Sequence, residues 1–392
     1  MVGQLNRESK AIEGSQISLR GKKDGNLAVD DPGVVNPPLV QCLPDPNTMN
    51  CTANLDNSFV AMEHLVEGLN EKQITAIRQE RRRIKEQNKM LNARKLSLVL
   101  DLDHTLLNSA MFSDIEPVHE EILKTKEEKD REGPHRHLFH LPQFRMWTKL
   151  RPGIWQFLDR ASKLYELHVY TMGKRVYATE MTKVLDPTGE LFAGRIISKG
   201  DEADVSGLGI SPKSKDLDGV MGMESSAIVI DDTEKMWPHH RLNLIVVERY
   251  TYFPCSRRQF GLAEPSLFEI DHDERPEDGM LASILRVIEQ IHHDFFLKKK
   301  LFFEVDVRDL LATKQRRVLK GCRIIFSRVF PMEETQPHLN PLWRLAEKFG
   351  AECTTQIDEH VTHVVAISLG TNKVNWGLAT GRNVVCTGLK HD

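Results

Sequence analysis

The sequence predicts an α/β fold built on a mostly parallel sheet. Between residues 96 and 247, short apolar segments alternate with longer segments whose apolar residues recur at helical spacing. Strands that alternate with helices favour a parallel sheet with helices on both faces. Three of the strand segments end in acidic or hydroxyl side chains. The carboxyl ends of parallel strands share one edge of the sheet, so this edge is the expected ligand site.

The composition limits the classes of function. At 392 residues the chain is long enough for two domains with linkers, and 40% hydrophobic with 28% charged residues is typical of a globular protein. A net charge of -3 provides no basic field for nucleic acid, and no apolar run approaches a membrane span. The six cysteines form no Cys-x-x-Cys pair. We therefore expect no direct contact with nucleic acid or membrane, and no zinc site.

The residues before the first strand fall into two parts. Residues 1–57 are rich in proline and turn formers with little periodicity, which predicts a disordered leader. Residues 58–95 carry apolar side chains at helical spacing among charges, which predicts a basic amphipathic helix. Its arginine cluster, residues 78–83, is interpreted as a solvated face.

The first strand, residues 96–100, leads directly into Asp101 and Asp103. Residues two apart in an extended chain point the same way, so these two carboxylates are expected to lie close together and to repel each other. Capping of the following turn would explain one of the acids but not the second. The pair therefore indicates a cation or a shared proton nearby.

Later segments bring compatible side chains to the same edge. Thr171 lies near the end of the second buried strand, Lys215 precedes the third, and the third runs into Asp231 and Asp232. Oxygen ligands of this kind suit Mg²⁺, which commonly bridges protein carboxylates and phosphate. A carboxylate can also act as a nucleophile in phosphoryl transfer, with the lysine and the hydroxyl balancing the phosphoryl charge.

The rest of the chain completes two domains. A small insertion with a charged helix and a hairpin separates the first strand from a predicted helix at 154–164. Two further amphipathic helices are predicted at 280–298 and 305–317. Residues 321–386 then return to strands alternating with helices, which predicts a second small α/β domain.

Five motifs in this order make the chain recognisable: Asp-Leu-Asp-His-Thr-Leu-Leu, Leu-Arg-Pro-Gly, Val-Tyr-Thr-Met-Gly, Ser-Lys-Asp-Leu and Val-Ile-Asp-Asp-Thr. Together they resemble the FCP/SCP branch of the haloacid dehalogenase superfamily. The resemblance implies a haloacid-dehalogenase-like (Rossmannoid) parallel sheet with a small insertion. It also implies Mg²⁺-dependent dephosphorylation of the heptad-repeat tail of RNA polymerase II, through an aspartyl-phosphate, in the nucleus.

The resemblance also implies roles for single residues. Asp101 would be the nucleophile, and Asp103 would act as general acid and then general base. Thr171 and Lys215 would hold the phosphoryl oxygens. The expected Mg²⁺ ligands are Asp101, the backbone carbonyl of Asp103 and Asp232, with Asp231 in support. Arg151 and Asp186 match positions that the family needs for substrate binding or support.

Residues 321–385 resemble a BRCT domain, and the order of the two domains is similar to that of plant-type CTD phosphatase-like proteins. The resemblance implies a phosphate site at Ser327 and Lys373, although a purely structural role for these two residues is an equal alternative. It also implies a transcription-factor partner for this region. Leu389 stands where the family has the tryptophan of a final helix, so the domain is expected to be incomplete at its C-terminus.

The expected domains are therefore a leader at 1–57, a helix at 58–95, an FCP/SCP-type phosphatase domain at 96–270, a helical linker at 271–318 and a BRCT-like domain at 319–392. Two other functions stay open. The chain could be a haloacid-dehalogenase phosphatase for another nuclear phosphoprotein, or a BRCT-containing scaffold with weak phosphatase activity.

Overall fold

The computed structural model describes residues 70–199, 214–220, 224–300, 304–331 and 335–386. The leader predicted at 1–57 and the first part of the helix predicted at 58–95 lie outside these residues. The described part of that helix is α1, Glu71–Asn92. Within the described residues, no helix is both long enough and apolar enough to cross a bilayer.

Among the described residues from 96 to 315, the structure has eight strands and six further α-helices. In chain order the strands are β1 (Leu96–Leu100), β2 (Leu107–Met111), β3 (Leu138–Leu141), β4 (Met146–Leu150), β5 (Tyr165–Lys174), β6 (Ile196–Lys199), β7 (Ala227–Asp231) and β8 (Leu244–Val246). The helices are α2 (Pro117–Arg131), α3 (Ile154–Leu164), α4 (Arg175–Leu185), α5 (Pro254–Gln259), α6 (Met280–Lys300) and α7 (Val307–Gln315).

The main sheet has five parallel strands in the order β6-β5-β1-β7-β8, which confirms the predicted fold class. All five residues of the central strand β1 are buried. From β1 the chain continues into β5 on one side and later into β7 on the other, so the strand order reverses at β1. A reversal of this kind opens a crevice at the carboxyl ends of the strands.

Among the described residues, the helices α3, α4, α6 and α7 pack on one face of this sheet, and the other face carries a separate apolar cluster. Leu96, Leu98 and Leu100 of β1 point into a core shared with α3, whereas Val99 points to the opposite face and packs in a cluster with Trp237. The two helices from the segment predicted as a linker, α6 and α7, also bury apolar side chains in the first core. Their apolar faces are thus part of the main fold unit. The domain boundaries themselves stay a prediction.

The predicted insertion folds into a small antiparallel sheet of order β2-β4-β3 with α2 beside it. The predicted hairpin is β3 and β4. Leu123 and Trp147 of the insertion pack against Tyr250 and Phe253, which follow β8 in the chain. The insertion is therefore fixed to the chain segment that leaves the main sheet.

A second sheet of four parallel strands confirms the predicted small α/β unit. Its strands are β9 (Arg323–Ser327), β10 (Glu352–Thr354), β11 (His363–Ala366) and β12 (Asn383–Cys386), in the order β10-β9-β11-β12, with the helices α8 (Pro341–Lys348) and α9 (Asn372–Ala379). The three-residue strand β10 was not predicted, because it is too short to show a period. The predicted incomplete end, at residues 387–392, lies outside the described residues.

Candidate active site

The register of the main sheet places the predicted acids together. Leu100 of β1 pairs with Val169 of β5 and with Ile230 of β7. The backbone N–H of Asp101 donates to the carbonyl of Ile230 at 3.0 Å, so the ladder continues one residue past the strand. Asp101 therefore lies next to Asp231, as expected for the carboxyl edge of a parallel sheet.

Lys215 joins the ends of these three strands. Its buried ammonium Nζ donates to Asp101 Oδ1 at 2.6 Å, to Asp231 Oδ2 at 2.7 Å and to the carbonyl of Tyr170 in β5 at 3.1 Å. An ammonium group has three donors, so these contacts use all of them. The backbone N–H of Lys215 donates to the carbonyl of Met236 at 2.7 Å, which fixes the residue from the main chain as well.

Burial and charge act in opposite directions at this cluster. Burial raises the pKa of Asp101 to about 7, and the neighbouring carboxylates of Asp231 and Asp103 add to the rise while Lys215 opposes it. Burial also disfavours the charged form of Lys215, but the carboxylates of Asp101 and Asp231 outweigh it and the pKa of Lys215 is raised. The lysine is therefore a cation at neutral pH, and it does not neutralise the whole group of acids.

Hydrogen bonds give Asp231 a supporting role. Its Oδ1 accepts from the backbone N–H of Thr233 at 2.8 Å, and its Oδ2 accepts from Lys215 and from Trp237 Nε1 at 2.9 Å. Both oxygens are thus occupied by protein donors. Trp237 was not predicted as a site residue, because a tryptophan between strands normally indicates core.

Asp101 and Asp232 each keep one oxygen open. In the described part of the chain no donor is recorded for Asp101 Oδ2 or for Asp232 Oδ1, whereas Asp232 Oδ2 accepts from Thr233 Oγ1 at 3.0 Å and from Arg249 Nε at 2.5 Å. Asp101, Asp231 and Asp232 offer carboxylate oxygens that all lie within 4.8 Å of one another.

The charge balance and the donor set fit a divalent cation. Four carboxyl groups, at positions 101, 103, 231 and 232, lie near the two cationic groups of Lys215 and Arg249, so their full ionisation would leave two negative charges in excess. The open donors are carboxylate oxygens, the ligands that Mg²⁺ prefers. The residues present therefore fit the cation that the sequence predicts.

Tyr177 of α4 holds the carboxyl group of Asp103. The phenol of Tyr177 donates to Asp103 Oδ1 at 2.5 Å. Burial raises the pKa of Asp103, and the Tyr177 hydrogen bond only partly opposes this rise. Burial and the negative charge of Asp103 raise the pKa of Tyr177 well above its usual value, so the phenol keeps its proton and remains the donor. Tyr177 was not predicted, since a tyrosine on an amphipathic helix is typical of core packing.

Thr171 lies near Tyr177, and within the described ranges its hydroxyl donates to no protein acceptor. Thr171 is buried, and its Oγ1 accepts from the backbone N–H of Gly173 at 3.0 Å. A Cβ at Gly173 would lie 2.7 Å from Tyr177 Cδ1, so a side chain there would displace the tyrosine. The strand end thus needs glycine at this position to keep Tyr177 on Asp103.

Arg151 supports the loop that carries the acids. It is fully buried, and its Nη1 donates to the carbonyl of Thr105 at 3.1 Å. Its Nε and Nη2 donate to the two carboxylate oxygens of Glu274, at 3.1 and 2.6 Å. This bidentate pair joins the turn after β1 to the segment before α6. The contacts indicate a supporting role for Arg151.

Asp186 does not join the cluster. It follows the last residue of α4, and its carboxylate accepts from the backbone N–H of Phe192 at 3.0 Å and from Thr188 Oγ1 at 3.2 Å. Because α4 runs back from the carboxyl end of β5 to the start of β6, Asp186 lies at the opposite edge of the sheet. Its contacts shape the turn there.

Ser327 and Lys373 lie at one edge of the second sheet. The hydroxyl of buried Ser327 is 2.6 Å from Thr371 Oγ1, and Lys373 Nζ donates to the carbonyl of Phe326 at 2.9 Å. Thr371 also caps α9 by accepting from Val374 N–H at 3.3 Å. The structure thus brings the two predicted phosphate-binding residues together, with internal hydrogen-bond partners for both.

Comparison with known proteins places the chain in a family. The model of the NLI interacting factor-like phosphatase family matches residues 96–265. The Arabidopsis thaliana RNA polymerase II C-terminal domain phosphatase-like 4 is 42% identical over 344 residues, which cover 86% of this chain and 75% of that protein. The chain belongs to this phosphatase family. Residues 96–265, which the family model matches, contain all four carboxyl groups of the cluster.

Two further matches show the extent of the likeness. The A. thaliana phosphatase-like 3 protein of the family is 64% identical over 334 residues, 85% of this chain, and the chain spans only 27% of that relative's length. A solved structure described as Fcp1, an essential RNA polymerase II CTD phosphatase, matches with a TM-score of 0.55 and 26% identity, covering 78% of this chain and 93% of its own. The fold is therefore that of Fcp1.

Removal of the central ammonium tests the electrostatics of the cluster. We expect Lys215→Met to lower the free energy of unfolding by about 3–5 kcal/mol, because it leaves buried carboxylates without their cation. Urea unfolding in metal-free buffer measures this loss. Lys235→Met, at an exposed lysine, is the matched control and should stay within about 0.5 kcal/mol of the unchanged protein. Equal stabilities for the two variants would contradict the role given to Lys215.

Proposed function

We propose that this chain is a Mg²⁺-dependent protein serine/threonine phosphatase that acts on the heptad-repeat tail of RNA polymerase II through an aspartyl-phosphate. The observation that carries the proposal is the arrangement of Asp101, with one open carboxylate oxygen, beside buried Lys215 and the open oxygen of Asp232. The relatives are named as phosphatases for this tail, which supports the choice of substrate and an action in the nucleus.

The cation would be held by Asp101, the backbone carbonyl of Asp103 and Asp232. Asp231 would support the site, because protein donors already occupy both of its oxygens. When bound, Mg²⁺ would neutralise part of the negative charge on the phosphoryl group and on the carboxylates. A fission yeast Fcp1 variant of similar fold has been solved bound to beryllium fluoride, at 26% identity and a TM-score of 0.55.

In the first step the Asp101 oxygen that would not hold the cation attacks the phosphorus of the phosphoserine. The bond between phosphorus and the serine oxygen breaks, and Asp103 in its protonated form gives its proton to that oxygen. The raised pKa of Asp103 supports the protonated form, and Tyr177 fixes the carboxyl group. The O–H of Thr171 can donate to a phosphoryl oxygen, because Gly173 uses only the acceptor side of the hydroxyl.

In the second step water attacks the phosphorus of the aspartyl-phosphate. Asp103, now a carboxylate, takes a proton from the water, and the bond between phosphorus and the Asp101 oxygen breaks. Inorganic phosphate leaves, and both aspartates return to their starting forms. The net reaction consumes one water and releases serine and phosphate.

A groove that is linked to Asp103 through Ser109 and Tyr177 suits a peptide substrate. The cavity measures about 490 Å³ and is lined by residues of β2, β4 and α5, among them Ser109, Met111 and Met146. Ser109 Oγ lies 3.4 Å from the phenol of Tyr177, which links the groove to Asp103. An open, partly apolar groove would accept an extended peptide whose phosphoserine lies at the end of the groove nearest Tyr177 and Asp103. Another nuclear phosphoprotein remains the alternative substrate.

The scaffold alternative has less support. Ser327 and Lys373 have partners within the second sheet, and a phosphate would have to displace Thr371 or the carbonyl of Phe326. A transcription-factor partner for this region therefore remains a proposal from the sequence.

The nucleophile can be tested on a generic aryl phosphate with Mg²⁺. We expect Asp101→Asn to lose at least about 1,000-fold in kcat/KM, since the amide cannot attack phosphorus. EDTA should abolish wild-type turnover, and added Mg²⁺ should restore it. Asp159→Asn, at an exposed acid of α3 paired with Lys163, is the control and should keep full activity. Turnover by Asp101→Asn at the wild-type level would exclude the mechanism.

The role of Asp103 can be tested by changing the leaving group. A serine oxygen needs a proton to leave, whereas an acidic phenol leaves as its anion. In kcat/KM, which reports the steps up to formation of the aspartyl-phosphate, we therefore expect Asp103→Asn to lose about 100- to 10,000-fold on a heptad peptide phosphorylated at serine, and much less on an aryl phosphate. Equal losses on both substrates would rule out acid catalysis by Asp103.

The choice of substrate has its own control. Turnover of a scrambled phosphopeptide at the rate of the heptad peptide would overturn the choice of substrate and leave the mechanism intact.

A further inference from the structure

Arg249 lies at the rim of the carboxylate cluster and holds one of its members. Its Nε donates to Asp232 Oδ2 at 2.5 Å, and its Nη2 donates to Thr233 Oγ1 at 3.2 Å. Thr233 Oγ1 in turn donates to Asp232 Oδ2 at 3.0 Å. The Asp232 side chain is 8% exposed and that of Arg249 is 38% exposed, so the arginine covers the acid from the solvent side.

An aromatic ring fixes Arg249 in turn. The guanidinium carbon lies 4.2 Å from the ring centroid of Phe260, at the end of α5, which is a close cation–π contact. The same ring meets His104 edge-on, with centroids 4.8 Å apart. His104 directly follows Asp103 in the loop after β1. Phe260 therefore connects the arginine on Asp232 to the loop that carries the other acids.

These contacts leave Asp232 with a single orientation. Oδ2 has two donors and Oδ1 has none among the described residues, so Oδ1 is the oxygen left free to bind a cation. Residues behind a metal ligand commonly fix its orientation in this way, and their loss weakens metal binding by roughly 10- to 100-fold.

We propose that Arg249 is a positioning residue that orients Asp232 towards the divalent cation, and that Phe260 holds Arg249 in place for this role. The inference rests on the metal site of the proposed function and extends it to two residues outside the carboxylate motifs. Arg249 also brings a positive charge near the cation, which acts against binding. Its guanidinium is partly exposed and screened by solvent, so the loss of orientation outweighs the relief of repulsion.

Mn²⁺ binding to the full chain, followed by electron paramagnetic resonance without substrate, tests this role. We expect Arg249→Met to weaken Mn²⁺ binding by about 10-fold or more. Arg249→Lys keeps the charge but loses the planar two-donor contact, and Phe260→Leu loses the ring under the guanidinium, so both should weaken binding by a smaller factor. The control is Arg241→Met, at an exposed arginine near Glu234, which should bind Mn²⁺ like the wild type.

A second readout separates positioning from contact with substrate. In a phosphatase assay the Mg²⁺ concentration for half-maximal activity should rise in Arg249→Met by the same factor as the Mn²⁺ dissociation constant. The kcat at saturating Mg²⁺ should stay within about twofold of wild type. Thermal unfolding checks that each variant is folded. If Arg249→Met does not fold, the single variants Arg249→Lys and Phe260→Leu provide the test.

Three results would overturn the inference. Unchanged or tighter Mn²⁺ binding in the Arg249 and Phe260 variants would show that orientation is not limiting. A lower kcat with unchanged Mn²⁺ affinity would place Arg249 against the substrate. Wild-type protein that binds no Mn²⁺ would overturn the metal site itself, and this result separates a failure of the proposed function from a failure of the inference.

Discussion

A buried ammonium group holds the active edge of this protein together. The three donors of Lys215 reach Asp101 after β1, Asp231 at the end of β7 and a carbonyl of β5, so one side chain joins three neighbouring strands. Without it, the two buried carboxylates would repel each other where burial already disfavours their charge. The parallel topology brings the strand ends together, and Lys215 stabilises the buried carboxylates that meet there.

The hydrogen-bond donors around the four aspartates determine which function each aspartate can have. Asp231 is saturated by Lys215, Trp237 and a backbone N–H, and it can only support its neighbours. Asp101 and Asp232 each keep an open oxygen, as a metal ligand requires. Asp103 is bound by a phenol that stays protonated, and its raised pKa suits proton transfer. Four aspartates thus acquire different tasks from the residues around them.

The sequence predicted the acids and Thr171 because each stands at or near the end of an apolar strand and parallel strands share their ends, and it predicted Lys215 from its place in the crossover between two of these strands. It did not predict Tyr177, Trp237 or Arg249, which come from a helix and from loops where such residues usually serve the core or the surface. Arg151 and Asp186 were predicted only by resemblance. Arg151 binds the turn after β1 at the carboxyl edge of the sheet, and Asp186 binds the turn after α4 at the opposite edge. The helical spacing of apolar residues within 280–317 predicted an apolar face on each helix. It did not show that these faces pack into the core of the main sheet.

The central claim is that the open oxygens of Asp101 and Asp232 hold a divalent cation beside Lys215. Anomalous diffraction from crystals of the full chain soaked in Mn²⁺ tests it most directly. We expect an anomalous peak at direct ligand distance from Asp101 and Asp232, with the Asp231 oxygens still bound to Lys215, Trp237 and Thr233. A Mn²⁺ peak elsewhere with none at these carboxylates, or a cation ligated by Asp231 in place of Lys215, would contradict the account.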